Sequence, residues 1–396
     1  MAGLPLEGVT VLDFGQVYNG PYCGFLLAQA GARVIKVESP LGETLRGRAE
    51  ASSASYPFAL LNAGKSCITL NIKSEAGQRL LKRLVHRVDV VLENFSPGTM
   101  ARYGVGADAL RAENPRLIYA ASTGFGSTGP YRDYLGMDIT LQAMCGVMTI
   151  TGQDGTPPTK AGPALADFLG GVHLFGGIVA ALYRRTVTGE GAVVDISMQD
   201  CLFPTLSTAL GAYFLAGYQP PRTGNRHPGL SAAPYNVYAA ADGHVAIICI
   251  REGHWRNLTR AMGRPELQQR PEFADVAARC RNMDALDAEV ERWTRSLPKE
   301  EVFRIAQQHD VICAPVKSLA EVVDDPQLHA RGTLEWLDHP SLGRIAICHS
   351  PLRWADVALP ALTDVPYLGA DNRTVYCGLF GLTEAELGAL ESEGAI

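Results

Sequence analysis

The sequence has no concentration of basic residues. Its 396 residues carry a formal net charge of −6, with 35 Lys and Arg against 41 Asp and Glu. Because nucleic acids attract concentrated positive charge, this balance argues against a nucleic-acid partner. The length allows two or three domains with a large buried core.

A secretory leader and a membrane span are also not apparent. Residues 1–7 show no positive region followed by an apolar core. No uncharged apolar run approaches the ~20 residues of a membrane helix, because glycine pairs interrupt the apolar stretch at 165–183 and should keep it short. We therefore expect a cytoplasmic protein with no membrane partner.

The nine cysteines include no Cys-x-x-Cys pair. They stand singly, mostly inside apolar runs. An odd number of scattered cysteines predicts reduced, buried thiols and favours neither a disulfide framework nor a zinc or other metal site.

Familiar nucleotide and hydrolase motifs are missing. The sequence contains no P-loop, no His-Glu-x-x-His and no Gly-x-Ser-x-Gly elbow. Residues 124–129 match Gly-x-Gly-x-x-Gly, but Pro130 follows where a dinucleotide fingerprint requires a helix to open. We therefore do not expect nicotinamide binding.

What the sequence does contain is an alternation of strand and helix patterns. Apolar β-branched runs near residues 8–14, 33–38, 67–72, 89–93, 117–121 and 193–197 are separated by helical patterns or by a polar loop at 41–55. This alternation predicts an α/β fold with a mainly parallel sheet. The Pro- and Gly-rich stretch at 219–228 indicates a linker. We expect a large domain from 1–220, a smaller α+β domain at 221–330, and a segment at 331–396 that returns to the large domain.

Asp167 lies where an apolar helix is expected to begin, within residues 160–183. The positive end of the helix dipole would keep its carboxylate ionised. The glycine pairs 170–171 and 176–177 would then leave space for a substrate. Asp167 could equally be an ordinary helix cap. The residues alone leave both interpretations open.

Several short motifs together extend over nearly the whole chain. They are Leu-Asp-Phe-Gly-Gln-Val-Tyr-Asn-Gly-Pro at 12–21, Gly-Ala-Arg-Val-Ile-Lys-Val-Glu at 31–38, Glu-Asn-Phe-Ser-Pro-Gly at 93–98, the 160–183 stretch, Met-Gln-Asp at 198–200, Asp-Pro at 325–326 before Arg-Gly at 331–332, and Leu-Gly at 368–369. In this order and spacing, the chain resembles the class III CoA-transferase family, to which α-methylacyl-CoA racemase is related. The resemblance implies a Rossmann-like large domain, a small domain and an interlocked homodimer.

The resemblance also implies a mechanism and a set of site residues. Asp167 would attack an acyl-CoA, forming an aspartyl anhydride and then an aspartyl-CoA thioester. Gln16, Val17 and Tyr18 would lie opposite Asp167, in a turn whose backbone amides stabilise oxyanions, although a branch of the family has glutamine where this chain has Tyr18. Coenzyme A and acyl-CoA would be substrates, with no tightly bound cofactor. By position, the resemblance implies CoA contacts at Val17, Arg46, Leu70, Lys73, Asn94, Phe95, Arg102 and Met137, and acceptor contacts at Arg226 and His227.

Two other functions are weighed against CoA transfer. A racemase of this kind needs a second base, a histidine in a Gly-His-Asp turn, where this chain has Gly136, Met137 and Asp138. A non-catalytic CoA-binding protein would not need the intact Asp167. The arginines near the linker and in the polar loop suggest a dicarboxylic acid as the acceptor.

Overall fold

The computed structural model describes residues 3–46, 55–340, 342–363 and 366–396. Residues 47–54 of the polar loop expected at 41–55 lie outside the described residues. The strands are β1 Thr10–Asp13, β2 Arg33–Glu38, β3 Ser66–Thr69, β4 Val90–Glu93, β5 Ile118–Thr123, β6 Ala192–Ser197, β7 Tyr235–Ala239, β8 His244–Ile248, β9 Ile312–Pro315, β10 Leu334–His339 and β11 Gly343–Cys348.

Helices alternate with these strands in the first half of the chain, as the sequence pattern predicts. The α-helices are α1 Asn19–Gln29, α2 Tyr56–Asn62, α3 Glu75–Leu84, α4 Thr99–Arg102, α5 Ala107–Glu113, α6 Asp138–Met144, α7 Val147–Ile150, α8 Leu165–Thr188, α9 Met198–Leu202, α10 Ser207–Ala216, α11 Glu252–Ala261, α12 Val276–Arg281, α13 Met283–Thr294, α14 Lys299–Gln308, α15 Leu319–Val323, α16 Pro326–Ala330 and α17 Glu384–Ser392. The expected helix through Phe214 is divided at Pro204 into α9, a 3₁₀ turn and α10, since proline cannot continue a helical ladder.

Six parallel strands form the main sheet in the order β3-β2-β1-β4-β5-β6. Val11 in β1 pairs with both Val34 in β2 and Val90 in β4, so the strand order reverses direction at β1 and β4. This is the strand order of a Rossmann fold, and the predicted α/β, Rossmann-like architecture is confirmed. In such sheets a ligand crevice opens beyond the carboxyl ends of the two strands where the order reverses.

Both faces of the sheet are buried, which accounts for the continuous apolar runs of its strands. On one face, Leu12 and Val91 pack with Val375 and Tyr376 from the C-terminal part of the chain. On the other face, strand residues including Val90 pack against α8. Helix α8 therefore belongs to the layer that covers the sheet.

Helix α8 is longer than the sequence indicates, because its glycines do not interrupt it. A Cβ atom on Gly170 would lie 2.1 Å from Nδ2 of Asn19 in α1, and one on Gly177 would lie 2.7 Å from Cγ1 of Val194 in β6. These glycines make room for a helix and a strand, so the expectation that they accommodate substrate is wrong. Among the described residues, α8 is the one helix long and apolar enough to cross a membrane. One side of it, with Leu174, Ile178 and Leu182, packs in the core beside the sheet.

The chain divides into two compact units. One contains the described residues of 1–145, 163–203 and 325–396, and the other contains 146–162 and 204–324. This division differs from the predicted boundaries, because 146–162 and 204–220 associate with the second unit and 325–330 with the first. A bridge between Gln153 and Thr223 joins 146–162 to the rest of the second unit. The second unit has its own antiparallel sheet, β7-β8-β9, and its own core around Trp255.

Candidate active site

A cavity opens at the carboxyl edge of the parallel sheet, in the first unit. Its volume is about 340 Å³. We call it the Asp167 cavity; it is lined by Gln16, Val17, Asn94, Phe95, Ser96, Pro97, Thr99, Ser122, Thr123, Gly124, Leu135, Gly136, Met137, Asp167 and Met198. The loops after β1 and β4 supply several of these residues, so the cavity lies at the reversal point where the fold predicts a ligand.

Asp167 enters this cavity from the first turn of α8. The N-cap of the helix is Ala164, and Asp167 is the third helical residue. The alternative that Asp167 is the helix cap is therefore wrong. Its carboxylate lies close to the positive end of the helix dipole without being the residue that begins the helix.

Asp138, the first residue of α6, supplies a side-chain cap to α8. Its Oδ1 accepts a hydrogen bond from the Ala166 backbone N–H at 2.8 Å. Its Oδ2 accepts one from Nε2 of Gln142 at 2.7 Å, which fixes the orientation of the carboxylate. Asp138 therefore ties the start of α8 to α6 and brings a second negative charge near Asp167.

The surroundings of Asp167 disfavour its ionised form in the free protein. Burial, the larger cause, and the neighbouring charge of Asp138 together raise the pKa of Asp167 to about 7. The helix dipole would lower the pKa of Asp167. However, one of the free N–H groups at the positive end of the helix, that of Ala166, already donates to Asp138. The expectation that the helix start holds Asp167 ionised is therefore corrected: burial dominates.

The turn after β1 is held in a strained shape. Val17 is β-branched and adopts φ = +62°, a conformation that such residues rarely accept. Its N–H donates to Oε2 of Glu43 at 3.1 Å. The neighbouring Gln16 N–H donates to Oδ1 of Asn94 at 2.7 Å, and Nδ2 of Asn94 donates to the Gln16 carbonyl at 3.0 Å. These two amides are used within the protein, which corrects the expectation that they serve as free oxyanion donors.

Buried charged side chains hold the turn after β1 in place. Asp13 and Lys65, both fully buried, form an ion pair of 2.7 Å, and Oδ1 of Asp13 also accepts the Gly15 N–H. Nζ of Lys36 donates to the Gly15 carbonyl and lies 4.0 Å from Glu43. Because buried charges are stable only with matched partners, this network fixes the position of the turn.

Arg46 belongs to the same network. Its guanidinium forms a bidentate ion pair with Glu38, at 2.7 Å and 3.0 Å, and also donates to the Pro366 carbonyl. The side chain is largely buried and stacks on Phe58. Arg46 is therefore engaged inside the protein, which corrects its predicted role as a CoA phosphate ligand.

A second cavity of about 470 Å³ lies in the same unit. We call it the Lys73 cavity; it is lined by Phe14, Gln16, Val37, Glu38, Ser39, Pro40, Leu41, Leu70, Asn71, Ile72, Lys73, Phe95, Thr99 and Tyr103. It brings together three predicted CoA contacts, Leu70, Lys73 and Phe95. Lys73 is exposed and is the one cation among these lining residues, whereas the predicted Arg102 lines neither cavity.

The two cavities are neighbours. Gln16, Phe95 and Thr99 line both of them. Asp167 therefore lines one cavity, and Lys73 lines the cavity next to it. This arrangement suits a long ligand with a reactive group at one end and an anionic group at the other.

The remaining predicted contacts lie elsewhere. Tyr18 packs beside Phe168, with ring centroids 6.0 Å apart, and does not line the Asp167 cavity. Arg226 lies in the second unit, where its guanidinium pairs with Asp287 and Asp284. The adjacent His227 accepts a hydrogen bond from the Gly229 N–H in the same unit.

Sequence reasoning missed several polar residues that line the Asp167 cavity. They are Ser96, Thr99, Ser122 and Thr123. Ser122 and Thr123 end β5, one strand beyond the reversal point, where the carboxyl-edge rule would have placed them had the predicted strand not ended at residue 121. Glu43 and Asp138 accept hydrogen bonds from backbone N–H groups that are distant in the sequence, and no local sequence pattern indicates such contacts.

Comparison with known proteins defines the family. The model of CoA-transferase family III matches residues 6–372. The chain belongs to CoA-transferase family III. The formyl-CoA:oxalate CoA-transferase of Streptomyces avermitilis is 36% identical, over 99% of each chain. The succinyl-CoA:mesaconate CoA-transferase of Haloarcula marismortui is 38% identical, over 89% of this chain and 90% of that one.

A solved structure of this family has the same fold. The CaiB/BaiF family protein of Brucella suis superposes with a TM-score of 0.84 and 34% sequence identity. The match covers 96% of this chain and 100% of that one. The predicted family and enzyme class, a CoA-transferase, are therefore confirmed.

Proposed function

We propose that this family III enzyme transfers CoA from an acyl-CoA donor to a dicarboxylic acid, with Asp167 as the nucleophile. One observation carries the proposal. Among the residues that line the Asp167 cavity, Asp167 is the one ionisable acid or base, and its cavity adjoins the one that holds Lys73. An isolated carboxylate suits covalent catalysis without a separate general base.

The first half of the reaction loads CoA onto the enzyme. The Asp167 carboxylate attacks the thioester carbonyl of the donor, the C–S bond breaks, and a mixed anhydride and CoA thiolate result. The thiolate then attacks the aspartyl carbonyl and releases the donor acid as a carboxylate. The energy of the thioester is kept throughout, because each step exchanges one activated acyl bond for another.

The second half returns the CoA to the acceptor. The acceptor carboxylate attacks the aspartyl-CoA thioester, which gives a new anhydride and frees the thiolate. The thiolate attacks the acceptor's carbonyl carbon, forming the new acyl-CoA and restoring the Asp167 carboxylate. One difficult exchange is thereby divided into four acyl-transfer steps, each of which forms or breaks a bond to Asp167.

The cavity disfavours racemase chemistry. Removing and returning an α-proton on opposite faces requires two groups that exchange protons. Met137, which lines the Asp167 cavity, cannot exchange a proton, and the lining residues other than Asp167 are neutral. A non-catalytic CoA-binding role is disfavoured because nothing in such a role needs a partly buried carboxylate that costs stability when it ionises.

The dicarboxylic acceptor is supported by relatives rather than by arginines. The proteins of Streptomyces avermitilis and Haloarcula marismortui are named for oxalate and mesaconate, both dicarboxylic acids. Arg226 and Arg46 are engaged with Asp and Glu side chains, so they lend no support. An acceptor in the Asp167 cavity would be bound by neutral donors.

We also propose that two copies associate as a homodimer in the cytoplasm. Helix α10 exposes an unusually apolar surface, with Phe214 and Leu215 exposed to 76% and 91%. Apolar patches of this kind mark interaction sites, and helix α8 of the first unit also exposes Tyr183 and Val187. The nine cysteines, all within the described residues, are free, which suits a reducing compartment. Sedimentation of the wild type and of Leu215→Glu tests the association; a wild-type monomer would contradict it.

A CoA-exchange assay tests the function. Succinyl-CoA and acetyl-CoA are offered as donors with oxalate, mesaconate, glutarate and a monocarboxylate, and new acyl-CoA is measured by chromatography. We expect exchange to at least one dicarboxylate, and none with Asp167→Asn. Exchange that persists in Asp167→Asn would contradict the role of Asp167, and turnover confined to the monocarboxylate would contradict the acceptor class.

A further inference from the structure

Ser122 ends the strand β5 on the side of the sheet that faces α8. Ile118 and Ala120, four and two residues earlier, pack in the cluster that contains Leu174 and Ile178 of α8. Because side chains alternate along a strand, Ser122 points toward the same layer. This is the layer whose helix begins next to Asp167.

The hydroxyl group of Ser122 is buried without a partner. The residue is 1% exposed, and its Oγ has no hydrogen-bond partner among the described residues. Thr123, the next residue, differs because its Oγ1 accepts the Gly126 N–H. A buried hydroxyl left unpaired destabilises the fold, so such a group needs an explanation.

The position of Ser122 in the Asp167 cavity supplies an explanation for its unpaired hydroxyl. Ser122 lines the Asp167 cavity, in which Asp167 is the sole charged lining residue and no Lys or Arg takes part. Asn94 cannot readily help, since both polar atoms of its side chain bind the Gln16 backbone. An acyl or carboxylate oxygen bound here therefore needs neutral donors, and Ser122 holds one that nothing else uses.

We propose that the Ser122 hydroxyl donates a hydrogen bond to an oxygen of the acyl group bound in the Asp167 cavity. The acceptor atom is the thioester carbonyl oxygen or the distal carboxylate oxygen of a dicarboxylyl-CoA. This rests on the proposed function, which brings an acyl-CoA to Asp167. Ser122 is thus a substrate-binding residue that favours acyl-CoA over free CoA.

Calorimetric titration tests this in an Asp167→Asn background, in which no turnover occurs. Succinyl-CoA, acetyl-CoA and CoA are titrated with and without Ser122→Ala. We expect about a fivefold to tenfold weaker binding of succinyl-CoA and less than a twofold change for CoA, which has no acyl oxygen. An equal loss for acetyl-CoA identifies the thioester oxygen, and a loss confined to succinyl-CoA identifies the distal carboxylate.

Matched variants separate this role from a structural one. Ser122→Cys keeps the side-chain size with a much weaker donor and should behave like Ser122→Ala. Ser96→Ala makes the same change at an exposed position of the cavity and should weaken succinyl-CoA binding less. The melting temperature of Ser122→Ala should equal or exceed that of its parent, because an unpaired buried group is removed.

Three results would overturn the proposal. They are equal weakening of CoA and succinyl-CoA, unchanged binding of all three ligands, and a lowered melting temperature with equal losses at Ser96 and Ser122. None of these depends on whether Asp167 is the nucleophile, because binding alone is measured. Failure of the exchange reaction is therefore distinguishable from failure of this proposal.

Discussion

The Asp167 cavity and the Lys73 cavity share three lining residues but differ in charge and exposure. The first contains one partly buried acid and neutral donors, and the second contains one exposed cation beside apolar walls such as Leu41 and Tyr103. A charge gains most from its surroundings where water is excluded, and a surface charge is screened. We therefore propose that bonds are made in the first cavity and that the second binds the nucleotide end of CoA.

The largest effect should come from Asp167 itself. Asp167→Asn removes the nucleophile while keeping its size, so we expect kcat to fall at least about 1,000-fold. Binding of free CoA, measured by calorimetry, should change little, because Lys73 and its apolar neighbours remain. If Asp167→Asn retains kcat and loses CoA binding, the proposed division of catalysis and CoA binding between the two cavities is wrong.

Asn94 connects the two cavities through the Gln16 backbone. Asn94→Ala removes two hydrogen bonds that hold the turn, and a displaced turn should lower kcat/KM by roughly 10- to 100-fold. Steady-state kinetics with succinyl-CoA measures this. Asn94→Asp, which keeps the acceptor for the Gln16 N–H, should lie between the wild type and Asn94→Ala. Equal activity of Asn94→Ala and the wild type would show that the position of this turn does not affect catalysis.

The pH dependence of kcat/KM should report the ionisation of Asp167, the acid of the Asp167 cavity. Since the raised pKa of Asp167 lies at about 7, kcat/KM should rise with pH below 7 and level off above it. Asp138→Asn keeps an acceptor for the Ala166 N–H but removes the charge that raises this pKa, so the midpoint should move to lower pH. A midpoint that does not move would show that Asp138 acts only as a cap.

The same pKa predicts the sign of a stability change. A carboxyl whose pKa is raised by folding favours the folded state at low pH, and this contribution is lost as pH rises through about 7. Asp167→Asn should therefore raise the melting temperature most at pH 8, less at pH 5 and little below about pH 4, where the carboxyl is protonated in both the folded and the unfolded state. A variant less stable than the wild type at pH 8 would contradict the burial of an ionising Asp167.

The smallest effect is expected at Lys73. Lys73→Ala removes one exposed cation, so KM for succinyl-CoA should rise about threefold to tenfold with kcat nearly unchanged. Added salt should weaken binding by the wild type more than by the variant. Arg102→Ala is the matched control, since Arg102 lines neither cavity, and an equal rise in KM there would broaden the anchoring site.

Local pattern predicted much of the fold. The strands β1, β2 and β4 follow from buried β-branched runs, and β2 has the predicted bounds, 33–38. The pattern did not reveal that Gly170 and Gly177 serve helix and strand packing, because close approach depends on which element arrives opposite. The placement of 146–162 in the second unit depends on a similarly distant contact.

The site was predictable where the family resemblance reaches it. Asp167, Asn94 and Lys73 were implied by that resemblance, whereas Ser122 was missed because the predicted strand ended one residue before it. Arg46 shows the limit, because a charged residue in a polar stretch looks like a phosphate ligand until its partner Glu38 is seen. Pairing of buried charges is a property of the folded chain and not of local sequence.

Mass spectrometry of the enzyme after incubation with succinyl-CoA is the most direct test of Asp167 as the nucleophile. We predict a covalent CoA adduct on the peptide that contains Asp167, formed by the wild type and released on addition of a dicarboxylate. Asp167→Asn should form no adduct. CoA transfer by the wild type without an adduct, or an adduct on a different residue, would contradict the role of Asp167 as nucleophile.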